Sequence, residues 1–191
     1  MFKKTTVLAA TAVWLAACAG PDQAPEDRIP DWVADPQGEV SDGLAATNCV
    51  PASDSFSIDR SEAIALTRQM LAAQIEVGVE AMEETYQQQT RSSEGETVSG
   101  STFQSVSRQL TDQTLTGVRV NRAGYETINE QRQLCTMLVV GESSMRGLFN
   151  DIIAGSNRPV TSQDEGVLWE QFRHAQAREE MDRALERRRG N

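Results

Sequence analysis

The chain has 191 residues and carries 28 acidic side chains against 18 lysines and arginines, a formal net charge of −10. A surface this acidic repels nucleic acid and anionic lipid headgroups, so neither is an expected partner. Lysine occurs only at Lys3 and Lys4. The rest of the chain therefore lacks the amine for Schiff-base chemistry and the lysine of a Walker phosphate loop.

Those two lysines precede an apolar stretch from Thr5 to Trp14. It falls short of the roughly 20 residues that a spanning helix needs and reads as a signal peptide over residues 1–17. Leu15-Ala16-Ala17-Cys18 resembles the bacterial lipobox, in which two small residues admit the extended backbone to a peptidase and the cysteine thiol accepts diacylglycerol. Lipidation of Cys18 is thus expected, with acyl chains contributing about 0.8 kcal/mol per buried methylene. Ala19 stands where inner-membrane retention is associated with aspartate. The expected address is accordingly the outer membrane, periplasmic side. Behind the cleavage site sixteen arginines face all 28 acidic residues.

Residues 18–29 are rich in Pro, Gln and acids without apolar period and read as a flexible lipid tether. Residues 30–155 read as an α+β domain, and 156–191 as a linker with a charged C-terminal helix. The run Gly43 to Val50, ended by Pro51, fits a first strand. Asp59-Arg60-Ser61-Glu62 has the form of a capping box ahead of Ala63, Leu66, Met70 and Ala73 at helical steps. Ile75, Val77, Val79 and Ala81 then alternate with Glu76, Gly78 and Glu80, which predicts a second strand.

Gln87 to Glu96 has no core pattern and reads as a loop or hairpin extension. Phe103, Val106 and Leu110 predict a helix; Val118 and Val120 open a strand with turn chemistry at Asn121-Arg122-Ala123-Gly124. Leu134 to Val140 is almost continuously apolar, the pattern of a central strand covered on both faces. Met145, Leu148 and Ile152 give another helix, stopping at Gly155. From Asp164 to Arg188 a charged helix begins with the stripe Leu168, Phe172 and Ala175 and carries a Glu179 and Arg183 pair. It either lies along the domain or projects toward another chain. The expected fold is α+β, a small mostly antiparallel sheet of about four strands in the order β-α-β-α-β-β, backed by helices.

Besides Cys18, only Cys49 and Cys135 remain. A bridge between them is the preferred reading in a disulfide-permissive compartment, with two separate buried thiols as the alternative. Gly141-Glu142-Ser143-Ser144-Met145 sits where a hydrolase nucleophile elbow would, but Met145 replaces the glycine that such a turn uses, and His174 is the sole histidine. His174 with Glu170 one turn earlier reads as a surface pair, Glu83-Glu84 and Glu94-Gly95-Glu96 as solvated charge. No catalytic residue, metal site or cofactor is expected. Trp32, Trp169 and Phe172 are the candidate interface residues, although for Trp32 packing beneath the domain is the preferred reading.

Taken in order, Pro30-Asp31-Trp32-Val33, the small strand at Gly43-Leu44-Ala45, the helix with Ala63, Ala65, Arg68, Leu71 and Ala72 running into Ile75 to Val79, Leu115 to Val120, and Leu138-Val139-Val140 resemble the Lpp-twenty lipoprotein family. Cys49 and Pro51 interrupt the first-strand segment, and the C-terminal helix lies outside the match. The resemblance implies a helix-backed antiparallel sheet in an envelope lipoprotein whose relatives include flagellar-motor and cell-surface components. The expected function is a lipid-anchored, non-catalytic structural or assembly component joined to the membrane through Cys18, with a homo-oligomer or envelope protein as partner. The alternative is a lipid-tethered module for a small hydrophobic or peptidic ligand.

Overall fold

Three antiparallel strands, β1 (Leu44–Pro51), β2 (Val120–Ile128) and β3 (Gln131–Val140), form one sheet in the order β1-β3-β2. The computed structural model describes residues 29–91 and 101–189, with residues 91, 176–184 and 186–189 described through the backbone alone. Five helices accompany the sheet: α1 (Asp31–Ala34), α2 (Phe56–Arg91), α3 (Phe103–Thr116), α4 (Glu142–Ser156) and α5 (Ser162–Arg189). The class is α+β as expected, and the apolar run Leu134 to Val140 is the central strand.

β3 needs apolar residues on both sides because both faces are covered. Leu138 and Val140 pack with Ala46 against the helices, while Cys135 and Met137 pack with Trp32 and Ala45 on the opposite face. β2 and β3 are joined by Asn129 and Glu130, both at positive φ (51° and 64°), the two-residue turn whose twist suits a hairpin. The turn expected at Asn121 to Gly124 is instead inside β2. There Asn121 is an extra residue in the register between Val120 and Arg122.

The largest correction concerns α2. The predicted strand at Ile75 to Val79 is helical, so three strands replace four and the observed order is α-β-α-α-β-β-α-α. Alternation over a few residues imitated period two, but the buried positions Leu71, Ile75, Val79, Met82 and Tyr86 follow steps of four and three. The apolar residues crowd because α2 is flanked on two sides, by the sheet and α3 and by α5. Gly78 marks the crossing with α5: a Cβ there would lie 2.7 Å from the Phe172 carbonyl oxygen and 2.9 Å from its ring. At a rise of about 1.5 Å per residue this helix is about 54 Å long, and it extends through Arg91, where a loop was expected from Gln87. Residues 92–96 of that expected loop lie outside the described residues.

Helix ends follow side-chain chemistry. α2 begins at Phe56, three residues before the expected cap, with Ile58 and Asp59 amides donating to the Ser55 carbonyl. The Asp59 carboxylate accepts from the Ser53 amide and hydroxyl, which hold its carboxyl below the usual range. Thr161 and Asp164 cap α5 reciprocally, at 3.2 and 3.3 Å between side chain and amide. α4 ends at Asn157 in the left-handed region, φ 52°. Gly155, the expected stop, instead lets α3 approach, since a Cβ there would sit 2.7 Å from Val106.

Gly78→Ala is expected to destabilise the domain by about 1–3 kcal/mol through overpacking at the α2 and α5 crossing. Chemical denaturation of the variant beside the parent checks this.

Candidate functional site

Of the residues singled out in the sequence, Cys18 lies outside the described residues. Cys49 and Cys135 are disulfide-bonded. They stand opposite one another in the β1 and β3 register with a Cα separation of 4.0 Å, a narrow pair whose side chains share the Trp32 face. The alternative of two separate thiols is thereby set aside.

Trp32 packs beneath the domain rather than presenting an interface. It is 2% exposed against Ala45, Cys135 and Met137, and its carbonyl accepts a 2.7 Å bond from the Thr47 hydroxyl. The Arg122 guanidinium lies 4.9 Å from its ring centroid. Trp169 and Phe172, expected as interface candidates, are core residues at 5% and 4% exposure. Phe149 packs against both, at 5.3 and 5.9 Å between ring centroids, and Arg146 covers Trp169 at 3.7 Å. Charged neighbours gave Trp169 the look of a surface residue, whereas the helix turns its ring inward. From Leu168 to Ala175, α5 lies along the domain.

His174 pairs with Glu170 as expected, at 3.2 Å on a solvated face, and Arg173 joins the same carboxylate. Ser143 and Ser144 are exposed in the first turn of α4.

The most concentrated electrostatic site was missed because Glu83 read as solvated charge. Glu84 is exposed, but Glu83 is buried and paired with Arg158 at 3.0 Å, their side chains only 6% and 7% exposed. Glu83 also accepts from the Gln87 side chain and from the Phe103 amide, each at 3.0 Å. Arg158 lies 4.9 Å from the Tyr86 ring centroid and 4.8 Å from that of Phe103. Burial pushes the Glu83 carboxyl up, but the Gln87, Phe103 and Arg158 donors together outweigh it and hold it below the ordinary 4.5. One sequence signal was present: Gln87 stands four residues after Glu83, the spacing of neighbours on a helix. Arg158 is 75 residues away and gave none.

Between the helices and the sheet, the space bounded by Leu44, Ile75, Met145 and Trp169 is about 20 Å³, the size of one water. A larger groove of about 320 Å³ runs between α2 and α3, walled by the side chains of Glu76, Ser107, Arg108, Thr111 and Asp112 around Ala72. Among the described residues no three His, Cys, Asp or Glu side chains are grouped as a metal would require, and no helix is long and apolar enough to cross a membrane. Compared with known protein families, with curated proteins and with solved structures, the chain matches none.

Two outcomes test this chemistry. Because the folded Glu83 carboxyl titrates below the unfolded one, its contribution is complete above the unfolded pKa and is lost as pH falls through the lower folded value. Melts across this acidic range are expected to show that loss, and Glu83→Gln to flatten it while costing about 3–5 kcal/mol near neutral pH. Separately, Cys49 and Cys135 close a loop with a sequence separation of 86. Reducing the bridge is expected to cost about 3–5 kcal/mol, read from denaturation with and without reductant.

Proposed function

We propose that this chain is a lipid-anchored, non-catalytic assembly component of a bacterial envelope, held by lipid on Cys18 to the periplasmic side of the outer membrane. The lipobox-like Leu15-Ala16-Ala17-Cys18 carries the reading. The chemistry of the remaining cysteines supports it, because a paired Cys49 and Cys135 fits an oxidising compartment. The tether from Cys18 to Ile29 leads directly to Trp32, whose burial gives the chain a firm point of entry into the domain.

The resemblance to the Lpp-twenty family points to the same address. The segment Ile75 to Val79, which entered that resemblance as a strand, is part of α2. The proposal therefore leans on the N-terminal motif and the disulfide rather than on that segment. The space bounded by Leu44, Ile75, Met145 and Trp169 is far below the roughly 300–1,000 Å³ of ligand sites, and the α2–α3 groove, at about 320 Å³, reaches only the lower end of that range.

Cys18→Ser in the full chain is expected to abolish the lipid mass and to leave an unlipidated, signal-bearing precursor, while the Cys49 and Cys135 bridge still forms. Mass spectrometry of the protein extracted from isolated membranes reads both features. An unmodified Cys18 in the parent protein, with no acyl mass on the membrane-associated form, would overturn the reading.

A further inference from the structure

The two outer strands of the sheet are treated differently by the fold. β1 is partly closed: the Gln37 side chain donates to the Gly43 carbonyl and accepts from the Ala45 amide, each at 3.0 Å, as a neighbouring strand would. β2 packs extensively against β3 alone among the described residues, and its Asn121, Arg122, Ala123 and Thr127 are exposed.

The direction of each backbone group on β2 follows from β1. Ala45 turns its amide outward to Gln37, whereas Ala52 donates to Arg132 of the β3 side, so even-numbered residues of β1 bond to β3 and odd-numbered ones face away. In the observed register, Gln133, Cys135 and Met137 then turn their backbone groups toward β2, where they meet Glu126, Gly124 and Arg122. Ala123, Tyr125 and Thr127 are left with N–H and C=O directed off the open edge.

That edge is self-complementary about Gly124. In an antiparallel pairing of two copies centred there, Arg122 of one copy stands opposite Glu126 of the other, twice, in narrow pairs where side chains approach most closely. Ala123 and Tyr125 of one copy exchange backbone bonds with Tyr125 and Ala123 of the other. Charges on an edge strand ordinarily discourage pairing. Here two opposite charges equidistant from one glycine favour a single register, because a two-residue shift sets Arg122 against Gly124 or Ile128. Arg122 is held on its face by Trp32 beneath it. On the other face Tyr125 lies beside Phe56, which is 53% exposed and extends the apolar surface at this edge.

Among the described residues nothing requires Gly124 to be glycine. Its φ is not left-handed, and a Cβ would meet only the Glu126 carboxylate, at 3.6 Å. A glycine inside a strand often marks close approach of another backbone.

We propose that two copies of this chain join edge to edge through β2, antiparallel about Gly124, to make one continuous sheet. This deepens, and in that respect rests on, the assembly reading above. The test is co-purification of two differently tagged full chains from detergent extracts. Tagged parents should recover one another. Arg122→Glu paired with itself, and Glu126→Arg paired with itself, should each lose about tenfold or more of that recovery, since every cross-edge pair becomes like-charged.

Arg122→Glu mixed with Glu126→Arg should regain it, because every cross-edge pair is again opposite in sign. The mixed pair contains the same two chains, so its recovery shows that both are folded. Ala123→Pro, which removes an outward N–H and spares the β3 ladder, should also weaken recovery. Parents that do not recover one another, reversals without effect, or a mixed pair that stays apart would each overturn the β2 dimer. Any of these leaves lipid anchoring standing, and an unlipidated Cys18 leaves the edge result standing.

Discussion

The helical layer depends on one desolvated carboxylate. Glu83 sits on the far part of α2, where burial penalises its charge, and it is tolerated because donors from three segments converge on it: Gln87 from α2 itself, the Phe103 amide at the start of α3, and Arg158 from the connection between α4 and α5. The start of α3 and the α4–α5 connection are thereby fixed relative to α2. Thr102 caps the Ser105 amide, and Glu83 takes the Phe103 amide, so the first turn of α3 is satisfied only when it docks on α2. The cation of Arg158 in turn lies near two rings that pack edge to face at 5.4 Å. From this end α5 starts back along α2 and reaches Gly78, where the absent side chain permits the crossing. A charge at one end and a missing methyl at the crossing together set the path of α5.

How much of this was legible in the sequence depended on whether the controlling contact was local. β3 declared itself because coverage on both faces demands an uninterrupted apolar run, and α4 because its single buried face leaves a clean stripe at Met145, Leu148 and Ile152. Glu170 and His174 pair within one helical turn, so spacing sufficed. The second half of α2 was misread because Val77, half-buried and outside the core clusters, stands between the core residues Ile75 and Val79, so the run resembles alternation. Trp169 was misread for a related reason, since a residue among charges can still point inward on a helix. Glu83 was hard to read because two of its three partners come from residues 20 and 75 positions away. The hairpin turn was hidden by its composition: Asn129 and Glu130 adopt left-handed conformations without the glycine that advertises them.

The candidate site divides in the same way. Cys49 and Cys135 were readable as a pair by elimination of the remaining cysteines, and the register supplied their contact. Arg122, Gly124 and Glu126 carried no such signal. Read as turn residues, Arg122 and Gly124 concealed a strand. Only once the backbone directions along β1 and β3 are known does the spacing of the two charges about the glycine acquire meaning.

The disulfide face also bears on how an N-terminal anchor would act on the domain. In the proposed attachment, tension on the lipid passes through the tether to Trp32 before it reaches any strand. Trp32 is buried over Cys135 and Met137 of β3 and bonded through its carbonyl to Thr47 of β1. Force at that point is therefore shared at once by the two strands that the Cys49 and Cys135 bridge locks together. β2 receives it through the β3 ladder and through Arg122 and Ile128, which touch the Trp32 cluster, while the backbone groups of Ala123, Tyr125 and Thr127 point the other way, off the open edge. An anchor entering beside β2 would load that edge directly. Entry over β1 and β3 leaves it free to meet another chain.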